Sequence, residues 1–411
     1  MSNERVLIIG AGQAGSQTAT SLRKGGFAGA ITIVGDEPSL PYQRPPLSKA
    51  YLKGELEESR LYFKPAEWFE TQNVDILTDC TVTDVNVETN IAKISDGKVL
   101  NFDYLVFATG SRNRQLPLEG AQLENVFGLR SLKDVDDLRP HVTDGKNLVI
   151  IGAGYIGLET AAVANALGMT VTVLELADRV LARVTSPTIS AFYADLHTSH
   201  GVDIKAETSV ATINGKDGKV NSVTLSTGET LSCDALLIGI GILPNIELAE
   251  DAGIRCEDGI VVDQDARTNI SHVYAAGDCA KRNILPYDRT GRLESVHNAI
   301  EQGKQIAAAI LGKPAPKLDC PWFWSDQYDV KLQIAGLSTG YDNFVVRGSI
   351  EDKKFAVFYF KDDVLIAADA INSPPEFMIA KRLILAKAKV SPEQLSDTQQ
   401  SLKEIAAAFK T

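Results

Sequence analysis

Two sets of glycines are spaced to hold a pyrophosphate. The first is Gly10, Gly12 and Gly15, within Val6-Leu7-Ile8-Ile9-Gly10-Ala11-Gly12-Gln13-Ala14-Gly15. The second is Gly152, Gly154 and Gly157, within Leu148-Val149-Ile150-Ile151-Gly152-Ala153-Gly154-Tyr155-Ile156-Gly157-Leu158-Glu159. In each, the first glycine permits a tight turn, the second lets phosphate approach the main chain, and the third lets a helix pack close to a strand. Uncapped amides and the helix dipole then favour the phosphate charge. An acid follows each set: Asp36, just after the apolar stretch 30–34, and Glu175, 23 residues past Gly152. A carboxylate there accepts hydrogen bonds from ribose hydroxyls. At Glu175 it also repels a 2′-phosphate, an effect softened by Arg179 and Arg183 nearby. One such set is also what a glycine turn in an ordinary α/β sheet looks like. Two sets, each with strand, helix and acid, predict two dinucleotide sites.

Three further stretches bring main chain or charge toward these turns. Pro41-Tyr42-Gln43-Arg44-Pro45-Pro46-Leu47-Ser48-Lys49 is too proline-rich for a regular helix or central strand, and its Arg44 and Lys49 suit a cofactor contact or a solvated loop. An apolar strand ends at Ala108-Thr109-Gly110, where small residues allow close approach of a ligand. Another delivers Gly277-Asp278, with Asp278 able to cap a helix, bind a cofactor hydroxyl, or both. The stretch 233–245 reads as a buried strand running into a glycine turn that includes Gly241.

These residues need elements to hold them. Near-continuous apolar runs at 6–9, 31–34, 104–107, 148–151, 171–174 and 235–238 read as buried parallel strands. Between them lie short strands at 74–77, 81–85 and 91–94 with a hairpin signal at Asp96-Gly97, and strands over 202–225 broken at Asn214-Gly215 and Asp217-Gly218. Trp68-Phe69 closes a partly helical stretch and reads as core. A helix spans 295–311 and Pro314 and Pro316 form a linker. Beyond it, alternating stretches at 331–334, 344–346, 354–359 and 364–367, with helices from Glu376 and from Ser391, read as an antiparallel α+β domain. The expected architecture is α/β: two Rossmann-like dinucleotide-binding domains plus a C-terminal α+β domain. The boundaries are 1–112 with 247–320, 113–246, and 321–411.

Composition narrows the class. The chain has 411 residues, 44% hydrophobic and 23% charged, ordinary for a globular enzyme. Its net charge of −12 argues against nucleic acid or an anionic membrane as partner. No apolar run is long enough to span a bilayer, and Met1-Ser2-Asn3-Glu4-Arg5 lacks the pattern of a signal peptide, so a cytoplasmic location is expected. Cys80, Cys233, Cys256, Cys279 and Cys320 are scattered, as are the five histidines, so no metal or iron–sulfur site is expected.

Two fingerprints with Ala108-Thr109-Gly110 between them and Ala275-Ala276-Gly277-Asp278 after the second resemble the two-dinucleotide flavoproteins of the glutathione-reductase superfamily, over essentially the whole chain. Arg44-Pro45-Pro46-Leu47-Ser48-Lys49 with Pro321-Trp322-Phe323-Trp324-Ser325-Asp326-Gln327 narrows the resemblance to the ferredoxin reductases of bacterial oxygenase systems. The resemblance implies FAD at the first fingerprint and NAD at the second. It implies FAD contacts at Ala14, Asp36, Lys49, Val82, Arg130, Asp278 and Val296, with Arg44 and Lys49 near the flavin ring. It also implies Glu159 near the nicotinamide, Glu175 on the adenosine ribose, and Trp324 or Trp322 flanking the flavin. His297 stands where relatives carry other residues and reads as structural.

The loop around Arg44 has no cysteine, so electrons have no disulfide to leave through and must pass from flavin to an external acceptor. That suits a [2Fe–2S] ferredoxin. Lys49, as a positive charge at the flavin, favours the reduced ring. Its burial calls for a carboxylate partner, for which Glu159 is the candidate. Lys49 and Glu159 are therefore the expected catalytic pair. Lys381, Arg382, Lys387 and Lys389 form a candidate basic docking patch for an acidic ferredoxin, or simply a solvated helix face. Alternative readings are another NADH-dependent flavoprotein, reducing rubredoxin or oxygen, and a redox-gated binding protein resembling apoptosis-inducing factor.

Overall fold

The computed structural model describes residues 4–285, 287–317 and 319–409, which form two compact units. The first comprises Met1–Gln43, Glu58–Arg112 and Ile242–Leu318. Its centre is a parallel sheet in the order Val273–Ala275, Tyr104–Phe107, Arg5–Ile9, Ala30–Val34, Val74–Leu77. Successive side chains of a strand point to opposite faces. Val6 and Ile8 accordingly join Leu22, Ile31, Ile33 and Ile306 in one core, while Leu7 and Ile9 join Val85, Ile94 and Phe107 in another. Burial on both faces is why these strands are largely apolar, with Arg5, Thr32 and Asp75 as their polar positions. On the first face the helices Gln13–Lys24 and Val296–Ile310 pack together, closely enough that a Cβ on Gly303 would meet Gln17 Cβ at 3.0 Å. On the second lies the antiparallel meander Val82–Asn86, Ile91–Ile94, Val99–Asn101. The strand Val273–Ala275 is contributed from far downstream, so this sheet closes only when residues 242–318 return to it.

The second unit comprises Arg44–Glu57, Asn113–Gly241 and Asp319–Thr411. Its parallel sheet repeats the first, in the order Asp203–Lys205, Thr170–Leu174, Asn147–Ile151, Ala235–Ile238, Val126–Phe127. A three-stranded antiparallel sheet (Val210–Lys216, Lys219–Leu225, Thr230–Ser232) covers one side. The break expected at Asn214-Gly215 is absent: the strand runs through, with a register shift between those residues, and the turn falls at Asp217-Gly218. Both turn residues have positive φ, 53° and 82°, which an Asp-Gly pair tolerates. At Gly215 a Cβ would lie 2.7 Å from a terminal methyl of Leu123, which would have to turn aside.

The C-terminal segment of this unit is a five-stranded antiparallel sheet, Trp322–Gln327, Val330–Gly336, Val364–Ile371, Lys354–Lys361, Asn343–Ser349, on which the helix Pro374–Leu385 packs. The single helix expected from Ser391 is two short ones, Pro392–Ser396 and Leu402–Ala407. Residues 44–57, expected with the first fingerprint, cluster instead with the second. They contain a five-residue π-type turn, Leu47–Tyr51, closed by Tyr51 N–H donating to Pro46 O at 3.0 Å. Pro45-Pro46 excludes a longer helix upstream of it. Among the described residues no helix is long and apolar enough to cross a membrane.

Candidate active site: two glycine cradles and a buried Lys49–Glu159 pair

In the first unit, Gly10 has φ +114°, and a Cβ there would lie 2.1 Å from Ala108 O. A Cβ on Gly15 would lie 2.1 Å from Gly10 O. Gly12 differs: nothing stands within 4 Å of its Cβ position. The outer two glycines are demanded by the protein's own packing and the middle one is not, which is what a ligand lying against Gly12 requires. Gly12 is the N-cap of the helix Gln13–Lys24 and no side chain caps it. The main chain at Ala108-Thr109-Gly110 abuts this turn, and Thr109 is fixed by its hydroxyl donating to Asn245 O at 2.6 Å.

The remaining candidates of this unit are placed unequally. Gly277, φ +83°, lies against Ala14, its Cβ position 3.3 Å from Ala14 Cβ. Asp278 sits inside a 3-10 turn, Gly277–Cys279, and its carboxylate accepts from Ser111 Oγ at 2.9 Å. Asp36 is exposed past the strand end, while neighbouring Glu37 accepts from the Tyr42 hydroxyl at 2.5 Å. The Val82 side chain belongs to the apolar core, so what it offers a ligand is main chain. Val296 opens the helix Val296–Ile310, with Ser295 as its cap, and His297 follows it.

The second unit reproduces the cradle. A Cβ on Gly152 (φ +106°) would lie 2.4 Å from Gly239 O, one on Gly157 2.1 Å from Gly152 O, and one on Gly154 within 4 Å of nothing. The helix Tyr155–Ala166 again starts at an uncapped glycine. Glu175 accepts from Ala153 N–H at 2.8 Å and Ala177 N–H at 2.9 Å, one per oxygen. Each oxygen keeps a lone pair for a ribose hydroxyl. Of the two nearby arginines, Arg179 is committed to Thr185 O, Ala182 O and Ser190 Oγ. Arg183 is exposed and lies beside Gly241, 3.4 Å from that glycine's Cβ position. Ile156 is partly exposed at the mouth of the turn, whereas the Tyr155 ring packs on Phe323 at 4.6 Å.

Glu159 is one turn further along this helix and 2% exposed. Its Oε2 accepts from Lys49 Nζ at 2.5 Å and Ser48 Oγ at 2.5 Å, and its Oε1 from Ser325 Oγ at 2.6 Å. Lys49 also donates to Pro45 O at 3.1 Å. The π-type turn presents Ser48 and Lys49 together, with Lys49 at φ −129°, ψ −115°, outside helical geometry. The turn is pinned by Tyr51, whose hydroxyl donates to Asp136 and whose carbonyl accepts from Arg139. Burial, aided by the Asp136 carboxylate, raises the Tyr51 phenol above its ordinary pKa. Arg44 donates to Arg130 O at 2.7 Å, and the Arg130 N–H is held by Asp134, so these two candidates sit together.

Ser325 arrives by strand alternation. Trp322 and Trp324 point to one face of Trp322–Gln327, with ring centroids 5.4 Å apart, and Phe323, Ser325 and Gln327 point to the other. Ser48, Ser325, Gln327 and His197 are site residues that sequence reading missed. The signal for the middle two was the period of two, applied to polar rather than apolar residues. The candidate patch also needs correction. Lys381 is 16% exposed, ion-paired with Asp319 at 2.8 Å and stacked over Trp322, because its position on the helix faces the sheet rather than solvent. Arg382, Lys387 and Lys389 are exposed.

A family model described as pyridine nucleotide-disulphide oxidoreductase matches residues 4–303, and one described as reductase C-terminal matches residues 322–406. The chain is 42% identical over 405 residues to rhodocoxin reductase of Rhodococcus erythropolis, covering 98% of this chain and 95% of that one. It is 42% identical over 413 residues to putidaredoxin reductase of Pseudomonas putida, covering 99% and 98%. The crystal structure of the covalent putidaredoxin reductase–putidaredoxin complex matches with a TM-score of 0.98 at 42% identity, over 100% of both chains.

Proposed function

This chain belongs to the pyridine nucleotide-disulphide oxidoreductase family, and on that premise we propose that it passes electrons from NADH through FAD to a [2Fe–2S] ferredoxin serving an oxygenase. The observation that carries the reading is the pair of cradles, each open only at its middle glycine, Gly12 and Gly154. FAD, when bound, supplies the chemistry, accepting a hydride's two electrons and releasing them singly.

The chain's own residues bind and orient. We assign FAD to the cradle at Gly10, Gly12 and Gly15, with Ala14, Asp36, Val82, Ala108, Thr109, Gly110, Gly277, Asp278 and Val296. We assign NADH to the cradle at Gly152, Gly154 and Gly157, with Tyr155, Ile156, Glu175, Arg183 and Gly241. Lys49, Arg44 and Arg130 are assigned to the flavin and Glu159 to the nicotinamide. Lys49 and Glu159 hold opposite charges in contact, so the buried Glu159 carboxylate is not left unpaired. Trp322 is engaged by Phe377 and Lys381, which favours Trp324 as the tryptophan at the flavin. The domains we propose are 1–112 with 247–320 for FAD, less residues 44–57, which cluster with the second unit, 113–246 for NAD and 321–411 at the C-terminus, in a protein working in the cytoplasm.

The test is anaerobic titration of FAD-loaded protein with NADH, followed by mixing with an oxidised [2Fe–2S] ferredoxin. Bleaching of the flavin and its return as ferredoxin is reduced is the expected result. No bleaching overturns the reading. Bleaching that only oxygen reverses identifies an oxidase instead.

A further inference from the structure

We infer that Ser325, Gln327 and His197 form a one-way hydrogen-bond chain that orients the Glu159 carboxylate, making Ser325 and Gln327 positioning residues for hydride transfer. The inference rests on the assignment of Lys49 and Glu159 made above.

The chain runs wholly within the second unit. The Tyr328 hydroxyl lies 3.5 Å from His197 Nδ1, His197 Nε2 2.8 Å from Gln327 Oε1, Gln327 Nε2 3.1 Å from Ser325 Oγ, and Ser325 Oγ 2.6 Å from Glu159 Oε1. Its direction follows from the carboxylate outward. An ionised carboxylate only accepts, so the Ser325 proton points to Glu159. Ser325 Oγ must then accept from its other neighbour, and only the amide NH2 of Gln327 can donate. That turns Gln327 Oε1 toward His197, which must donate from Nε2. Nδ1 is left as an acceptor, where the Tyr328 hydroxyl stands. Burial holds the imidazole neutral by lowering its pKa to about 4, in keeping with a single N–H. Every proton in the chain has one place.

Ser325, Gln327, His197 and Glu159 are all at most 2% exposed, so water does not compete for these bonds. An amide does not relay protons in its ordinary form, so the chain orients the carboxylate and moves no proton. With Oε1 held by Ser325, Oε2 is the oxygen presented to Lys49 and Ser48. The far end is anchored by His200, stacked on Tyr328 at 3.8 Å between centroids.

The experiment uses the full-length FAD-loaded protein, mixed anaerobically with NADH, reading flavin bleaching for a hydride-transfer rate and an apparent Kd. Ser325→Ala should slow hydride transfer about tenfold, since a misdirected group loses rate rather than affinity. Its Kd should stay within about twofold. In a Glu159→Gln background, Ser325→Ala should cost less than about twofold, because residues acting through one another are not additive. A wild-type rate in Ser325→Ala overturns the inference. So does a loss of equal size in both backgrounds, which marks a general structural role. Should Ser325→Ala not hold FAD, Gln327→Met, which cuts the chain one link away, is subject to the same two comparisons. If the wild-type flavin is not bleached at all, the functional reading fails and takes this inference with it. If it is bleached and Ser325→Ala is indifferent, the inference alone fails.

Discussion

Glu159 Oε2 and Lys49 Nζ lie 2.5 Å apart although 110 residues separate them in the chain. The Glu159 side chain is 2% exposed and the Lys49 side chain 20%. Removing one partner of such a pair leaves the other buried without compensation, at a cost of about 3–5 kcal/mol when burial is complete. Lys49→Met should therefore destabilise the second unit by roughly 2–4 kcal/mol, discounted for the exposed lysine end. Lys49→Met with Glu159→Gln should be less destabilised than the sum of the two single changes. Thermal unfolding of the four proteins gives the comparison, and additive losses would contradict a coupled pair.

The three glycines of each cradle should respond differently. Gly12→Val places its side chain in open space, so the fold should persist while FAD binding is lost. Gly10→Val forces a Cβ to within 2.1 Å of Ala108 O at φ +114° and should abolish folded protein. Circular dichroism and flavin absorbance after FAD loading separate the two. Gly154→Val should likewise spare FAD and the fold while raising the Kd for NADH.

NADH should be preferred to NADPH by roughly ten- to a hundredfold in kcat/KM, since the Glu175 carboxylate meets the 2′-phosphate and Arg179 is tied to carbonyls. Glu175→Ala should narrow that ratio and also weaken NADH, because the carboxylate holds the Ala153 amide inside the glycine turn. Steady-state kinetics with both nucleotides measures this. Equal efficiency in the wild type would refute it.

The basic surface left after removing Lys381 is Arg382, Lys387 and Lys389. Arg382→Glu with Lys387→Glu should slow ferredoxin reduction, most at low salt where screening is weak, and leave ferricyanide reduction by NADH unchanged. Lys381→Glu should instead lower thermal stability, by breaking its ion pair with Asp319. Wild-type ferredoxin kinetics for the double variant at every ionic strength would remove the patch from the docking site.

Asp369 is fully buried, accepts from the Tyr359 hydroxyl at 2.7 Å on one oxygen, and has no partner on the other among the described residues. Burial pushes its carboxyl up to about 7. A carboxyl raised on folding keeps its proton while the unfolded chain has lost its own. Stability is therefore undiminished below the unfolded pKa, falls as pH rises toward 7, and is level above. Asp369→Asn should relieve this. Its advantage in unfolding free energy over wild type should grow by roughly 2–3 kcal/mol between pH 5 and pH 8. Thermal midpoints at the two pH values test the sign, and an advantage that shrinks with pH would refute it.

The sequence by itself determined the two cradles, because strand, tight turn and helix start lie within ten residues at Val6–Gly15 and again at Leu148–Gly157. Only the third glycine of each meets its own turn; the partners that crowd Gly10 and Gly152, Ala108 O and Gly239 O, come from distant chain. Buried strands were equally legible wherever apolar runs were continuous, as at Val6–Ile9. Other features required the tertiary structure, because their partners come from distant chain. Asn214-Gly215 reads like a turn, yet the neighbouring strand holds it as a bulge. Lys381 reads like a docking charge until Asp319 and Trp322 close over it. Glu159 was legible as the partner of Lys49, but not the setting that joins them: the turn at Leu47–Tyr51 brings Ser48 and Lys49 to it from one side, and the strand Trp322–Gln327 brings Ser325 from 166 residues away on the other. No spacing encodes such a meeting: three segments without sequence proximity converge only because each is packed for reasons of its own.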